Sequence, residues 1–406
     1  MSGRVALVAA AAAVAAFAVL CPALAVDDSP SYLGPGRSWA TGNGLREDGR
    51  PLESRLPLYP LALGVVIRLF GDAPVTFSLL NATCHVAAVM LARAVLRRRL
   101  DPATADLASA AALLYPPLLT STGLVLQESF LALLLSAFFY SLWRAVESGA
   151  AGWIAAAGAA LGLSGLAKVT SLPLAVPAAV LVALGPPPAP RVPSGARPAA
   201  RAGIFIVSVF LVLLPWAVRN HRVLGRLEVT NSNGGHTFLG GTVSNTITDW
   251  TALPEYVAAR QEWIDGARSS HPVLEHYLYL VACRRIAAAP GRWLGLVLER
   301  TGRFMLPARH WLVAVGWARM GTFPTWYLGL TAINVALFAG TAWLVVLAVR
   351  QRDAPLLVGP LIVFGTQAVY AVTYASPRYG VTIGPVLMAA AVLAIVAPPA
   401  PGASER

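Results

Sequence analysis

Residues 3–32 read "GRVALVAAAAAVAAFAVLCPALAVDDSPSY". After Arg4 the stretch is apolar until two adjacent carboxylates, Asp27 and Asp28, end it. A helix needs about 20 apolar residues to cross a bilayer, and this run supplies them. It has a second reading as a signal peptide, because Ala23-Leu24-Ala25 has the small-residue pattern of a cleavage site. Both readings leave Asp27 and Asp28 on the outer face. Two readings of the carboxylates also stand: Asp28-Ser29-Pro30 is an ordinary helix start, and paired carboxylates at a lipid surface raise one pKa and provide a base.

The rest of the chain has the same character. Hydrophobic residues make up 57% of the 406 and charged residues only 12%, against about 25% charged in a soluble domain. This predicts an all-α integral membrane protein. Of the 31 basic residues all but Lys168 are arginine, and the net charge is +12. In a membrane protein that excess orients loops and meets anionic headgroups, so nucleic acid is not an expected partner. Cys21, Cys84 and Cys283 lack metal-ligand spacing, and neither a disulfide framework nor a zinc site follows.

About ten spans are expected, near 5–25, 75–96, 105–121, 124–143, 152–167, 170–185, 203–218, 325–349, 355–373 and 380–397. Two crossings over 152–185 put Arg97, Arg98, Arg99, Arg191, Arg197, Arg201, Arg350 and Arg352 on the cytoplasmic side, as the positive-inside rule prefers. Both termini then lie inside. The Pro/Ala/Arg stretch at 185–201 reads as a linker. Three parts result: an N-terminal bundle over 1–218 with an outer loop at 27–74, a second outer segment at 219–324, and C-terminal spans over 325–406. Residues 56–71 and 271–305, the latter broken at Pro290, have the pattern of helices lying on the membrane.

Ionisable groups in or beside spans are costly and have a partner or a task. Glu128 and Lys168 are such groups, and an ion pair between them is the structural alternative to a functional role. Asn81 and His85 share a helix face and suit interhelical hydrogen bonds. Arg55, Arg219 and Arg378 fall at outer boundaries, where a guanidinium fork suits either headgroups or a bound phosphate. The polar, glycine-rich "TNSNGGHTFLGGT" at 230–242 is no nucleotide fingerprint; it reads as a turn or as the lining of a sugar site. His236, His271, His276 and His310 are expected on the surface.

Several pieces, taken in order, resemble the polytopic glycosyltransferases of the GT-C fold, in the branch of protein O-mannosyltransferases and the aminoarabinose transferase of lipid A. They are Asp28-Ser29-Pro30-Ser31-Tyr32, Arg55-Leu56-Pro57-Leu58-Tyr59-Pro60, "LPWAVRNHRVLGRLEVTNSNGG" from Leu214 and "SPRYGVTIGPVL" from Ser376. Pro35-Gly36 departs from the helix-forming residues usual behind the tyrosine, and Lys168 stands where arginine is common.

The resemblance implies that the first span is retained and that the donor is a sugar on a polyprenyl phosphate. It implies Asp28 as general base, with Asp27 as the fallback, in an inverting transfer to an extracytoplasmic lipid, glycan or protein. Arg55, Lys168, Arg219 and Arg378 would meet the donor phosphate; Tyr32, Tyr59, Glu128, Asn220, Asn233 and Tyr379 would meet substrate. No cofactor and no metal site are expected; a divalent-metal requirement, sugar and acceptor stay open. The rival readings are a flippase of lipid-linked saccharide, a membrane assembly protein, and an inactive relative. A flippase needs polar groups at midplane depth, whereas the ionisable residues here gather near one face. Arginine- and alanine-rich composition points to the cytoplasmic membrane of a bacterium with a GC-rich genome, with the site on the outer face.

Overall fold

The structure is a computed structural model that describes residues 2–26, 28–185, 198–229, 233–245, 251–314, 316 and 323–396. Asp27 and most of the 185–201 linker lie outside the described residues.

The described chain is helical apart from one short hairpin. Its first part comprises α1 (Gly3–Leu20), α2 (Pro30–Ala40), the hairpin β1 (Arg46–Glu47) and β2 (Arg50–Pro51), α3 (Leu58–Phe70) and α4 (Pro74–Leu96). Then come α5 (Pro102–Leu114), α6 (Pro116–Thr122), α7 (Glu128–Ser148), α8 (Ala151–Ala167), α9 (Ala175–Leu184) and α10 (Pro198–Leu224). The second large segment holds α11 (Gly234–Gly241), α12 (Pro254–Asp265), α13 (Leu274–Ala288), α14 (Pro290–Phe304) and α15 (Arg309–Ala314). Three more helices follow: α16 (Phe323–Gln351), α17 (Val358–Val372) and α18 (Gly384–Val396).

Among the described residues 7 helical segments are long and apolar enough to cross a membrane: α1, α4, α7, α10, α16, Ala354–Val372 and Pro377–Val396. The other three expected spans are built from shorter pieces. Pro116 lacks the amide that would continue α5 and divides 105–121 into α5 and α6. Residues 152–167 form α8, and 170–185 open with a 3-10 turn at Val169–Leu174 around Pro173 before α9. The 124–143 span begins only at Glu128. The residues ahead of it pair instead with the exit of α1, where Leu24 N–H donates to Gly123 O at 3.0 Å and Val125 N–H to Leu24 O at 3.0 Å.

Phe138, Phe139, Leu142 and Trp143 of α7 are all 0% exposed, so α7 is the centre of the bundle. On its flank α8 and α10 approach through Gly158 and Gly162, whose missing side chains leave room for Phe205, Ser208, Val209 and Val212. Small residues let helix backbones close on one another where lipid gives no hydrophobic drive. The same device explains Pro35-Gly36. Helix α2 runs through both, and a Cβ at Gly36 would lie 3.0 Å from Pro60 O while one at Gly64 would lie 2.9 Å from Gly36 O, so α2 and α3 pack backbone to backbone.

Two buried polar side chains of α4 are paired, as burial favours. Asn81 Nδ2 donates to Leu124 O at 2.6 Å and His85 Nε2 lies 3.1 Å from Leu113 O. The end of the bundle opposite Asp28 is tied by Arg98–Glu147 at 2.8 Å and Arg99–Asp353 at 2.7 Å.

Candidate active site

The turn out of α1 is built around Ser29, which is 0% exposed. Its Oγ accepts from Val26 N–H at 2.8 Å and donates to Val125 O at 2.9 Å. This pins the turn that leads into α2. The helix-cap reading of Asp28 fails here, since its carboxylate binds arginines instead. Arg55 Nη2 donates to one oxygen at 2.8 Å and Arg378 Nη2 to the other. Arg55 Nε also donates to Ser31 Oγ at 2.8 Å, and its guanidinium lies 4.8 Å from the Tyr32 ring centre. The carboxylate of Asp28 is pushed up by burial, but Arg378 and Arg55 outweigh that and hold it at about 2. Burial raises the Tyr32 hydroxyl to about 12.

Glu128 opens α7, where the helix dipole favours a carboxylate. Its Oε1 is 3.8 Å from Arg378 Nε, and its buried Oε2 has no hydrogen-bond partner among the described residues. The cation paired with Glu128 is therefore Arg378, and the structural alternative of a Glu128–Lys168 ion pair is not what forms. Lys168 instead sits over two aromatic rings, 3.6 Å from the centre of Tyr379 and 5.4 Å from that of Tyr370, which stack on each other at 4.5 Å. Thr170 Oγ1 donates to the Tyr370 hydroxyl at 3.0 Å.

These groups border a cavity of about 300 Å³, at the lower end of small-ligand sites. Of the residues expected from sequence, Tyr32, Arg55, Lys168, Asn233, Arg378 and Tyr379 line it, and Asp28 and Glu128 hold its arginines. Three do not reach it. Arg219 Nη1 donates to Leu52 O and Asn220 Oδ1, both at 2.9 Å, and stacks on Trp216. Asn220 Nδ2 donates to Glu228 O at 2.8 Å. Tyr59 is 0% exposed, packed edge-on to Tyr32 with its hydroxyl toward Asn81.

Thr237, Phe238, Tyr279, Gln127, Thr170, Tyr370 and Tyr374 also line the cavity and were not singled out in the sequence. One signal for the last two was available: Tyr370, Tyr374 and Tyr379 recur at near-helical spacing beside Arg378. The glycine-rich 230–242 stretch is helical over Gly234–Gly241 instead of a turn, with Thr230, Asn231 and Ser232 outside the described residues. Asn233 Nδ2 donates to Ser54 O at 3.0 Å and joins this helix to the segment between α2 and α3. His236 is not a free surface histidine, for its Nδ1 lies 2.6 Å from Glu275 Oε2 and its Nε2 3.2 Å from the Tyr256 hydroxyl. Among the described residues no three His, Cys, Asp or Glu side chains cluster as metal ligands would.

Three cations, Arg55, Lys168 and Arg378, thus face two carboxylates, leaving the cluster one positive charge in excess. Among the described residues no carboxylate lines the cavity itself. A single anionic group placed there meets guanidinium forks and an ammonium with its charge balanced.

The chain is a polytopic, all-α membrane protein with the GT-C fold of membrane glycosyltransferases. Residues 51–216 match the family described as dolichyl-phosphate-mannose-protein mannosyltransferase. Among solved structures, the archaeal oligosaccharyltransferase AglB from Archaeoglobus fulgidus, in complex with an inhibitory peptide and a dolichol-phosphate, superposes with a TM-score of 0.52 at 14% identity. That alignment covers 97% of this chain and 50% of AglB. ArnT from Cupriavidus metallidurans, bound to undecaprenyl phosphate, aligns over 96% of this chain and 77% of its own at 16% identity, with a TM-score of 0.43. No curated protein matches the chain by sequence.

Proposed function

We propose that the protein is a glycosyltransferase that moves a sugar from a polyprenyl-phosphate donor to an acceptor on the extracytoplasmic side of the membrane. The observation that carries this reading is the cluster itself, in which Asp28 is held between Arg55 and Arg378 beside a cavity that also holds Lys168. Its net charge of one positive suits one phosphodiester. The mannosyltransferase family match and the polyprenyl phosphates bound by ArnT and AglB support the donor class.

In the proposed step an acceptor hydroxyl or amine attacks the anomeric carbon from the face opposite the phosphate. The bond from that carbon to the phosphate oxygen breaks, and its electron pair leaves with the polyprenyl phosphate. The acceptor's proton passes to Asp28, and the sugar's configuration inverts. Arg55, Arg378 and Lys168 stabilise the charge that grows on the departing phosphate. At about 2, the Asp28 carboxylate paired with both arginines is a weak base. A donor phosphate that draws the two guanidinium groups onto its own oxygens weakens their hold on Asp28 and raises its basicity, so donor binding would prime the base. Arg219 has no part in this scheme, because it does not line the cavity and its Nη1 is turned onto Leu52 O and Asn220 Oδ1.

The test is release of polyprenyl phosphate from a panel of radiolabelled polyprenyl-phosphate sugars, with purified wild type compared to Asp28→Asn. Loss of a general base lowers turnover by about 10²–10⁴-fold. Turnover by wild type with that loss in Asp28→Asn supports the reading. Equal rates in both proteins remove Asp28 as base, and donor transport across vesicles without sugar transfer replaces the enzyme with a flippase.

A further inference from the structure

Helix α14 lies across the site-bearing end of α17. Gln367 Nε2 of α17 donates to Thr301 O at 3.1 Å, and the fully buried Arg300 donates through Nη1 to Ala371 O and Thr373 O, each at 3.0 Å. The C-terminal half of α14 is therefore level with the last turns of a membrane-crossing helix, at the edge of the hydrocarbon. Its opposite face is uncovered by protein: Leu294 is 54% exposed and Leu298, one turn on, 65%. Gly291, Gly295 and Gly302 beside them face open space.

Near the N-terminus of α14 a second cavity, of about 170 Å³, opens between α13 and α14. Arg285, Arg292, Trp293 and Thr242 line it, and among the described residues no carboxylate does. Arg285 donates to Thr242 Oγ1 at 3.2 Å and Glu255 Oε1 at 3.4 Å, and Arg292 to Val243 O at 3.2 Å. A guanidinium carries five N–H groups, so both retain donors for a ligand. The buried Nε1 of Trp293 has no acceptor among the described residues.

We propose that this cavity binds the phosphate of an anionic lipid headgroup, with the acyl chains lying along Leu294 and Leu298. Paired guanidinium groups match phosphate oxygens, a tryptophan N–H at headgroup depth adds a donor, and the exposed Leu294 and Leu298 lie within two turns of Trp293 on the same helix, in reach of the acyl chains of such a lipid. The site shares no residue with the cluster around Asp28, so it stands whether or not the catalytic reading does.

Native mass spectrometry of the full-length protein in detergent tests it, with phosphatidylglycerol and phosphatidylcholine titrated at equal concentration. Wild type is expected to retain phosphatidylglycerol in preference. Arg285→Gln/Arg292→Gln is expected to lower that affinity about thirtyfold, at roughly fivefold per arginine. Arg268→Gln, at an arginine stacked on Trp263 elsewhere on the surface, is expected to leave it unchanged. Should the double variant not fold, the exposed Arg292→Gln alone is expected to cost about fivefold. Unchanged phosphatidylglycerol affinity in the arginine variants overturns the site. If inorganic phosphate competes fully while Leu294→Ser/Leu298→Ser retains phosphatidylglycerol unchanged, the ligand is a free phosphate and the lipid proposal fails.

Discussion

Asp28 and Arg378, 350 positions apart, share a hydrogen-bonded ion pair that joins the exit of the first span to the entrance of the last. Arg55 completes the clamp from the segment between α2 and α3. The same arginine that holds Asp28 also faces Glu128, so the two carboxylates are coupled through one guanidinium. A ligand that displaces Asp28 from Arg378 acts on both.

That clamp makes stability pH-dependent in a stated direction. The carboxyl of Asp28 falls from 3.8 to about 2 on folding. A group with a depressed folded value contributes stability above its unfolded value and loses it as pH falls through the folded one. The contribution is about 2 kcal/mol at neutral pH. Asp28→Asn should therefore lower Tm at pH 7, and the gap to wild type should narrow between pH 4 and pH 2. A gap that stays constant through that window would show that the pairing contributes nothing.

Lys168 is held by aromatic faces, not by a carboxylate, so its charge is left for a ligand. Lys168→Met is expected to lower kcat for donor cleavage by about 10²–10³-fold, as loss of one preorganised electrostatic donor does. Tyr379→Phe, which keeps the ring, should cost far less than Tyr379→Leu, which removes the cation–π contact. Equal losses in the two tyrosine variants would assign the role to the hydroxyl.

The close approach of α8 and α10 predicts a stability defect remote from the site. A Cβ at Gly158 would meet Phe205 O and lie 2.8 Å from Ser208 Cβ. Gly158→Ala should destabilise the fold by about 1–3 kcal/mol, seen as a lower Tm in detergent. The outward-facing Gly152→Ala, with open space around it, should not.

Arg300 is a buried guanidinium that joins Asn245 Oδ1 at 2.6 Å to carbonyls at the end of α17 and to Gly241 O. Arg300→Met leaves those acceptors unpaired and is expected to cost at least about 3 kcal/mol. Because the last turn of α17 leads directly to Tyr374 and Arg378, donor turnover should fall even at temperatures where the variant stays folded. Wild-type turnover in a folded Arg300→Met protein would separate the latch from the site.

The spans were legible in the sequence because lipid imposes one demand on every crossing segment: a long apolar run with its backbone bonds closed inside a helix. Where the expectation slipped, at 105–121 and 170–185, Pro116 and Pro173 divide the run into pieces that neighbouring helices accommodate. Pro35-Gly36 looked like a defect because its purpose lies in Gly64, a contact no local pattern announces.

Residue types and membrane depth also followed from the chain, and they were enough to nominate Asp28, Arg55, Lys168 and Arg378. They could not separate Arg378 from Arg219, which stand at the same depth; only packing turned one into the cavity and the other onto Leu52. Nor could they say that Glu128 faces Arg378 while Lys168 faces tyrosines. Hydropathy is a property each residue carries alone, so the chain declares it. A partner 350 positions away is decided by how helices rotate and stack, and that is set by the side chains of the whole bundle at once.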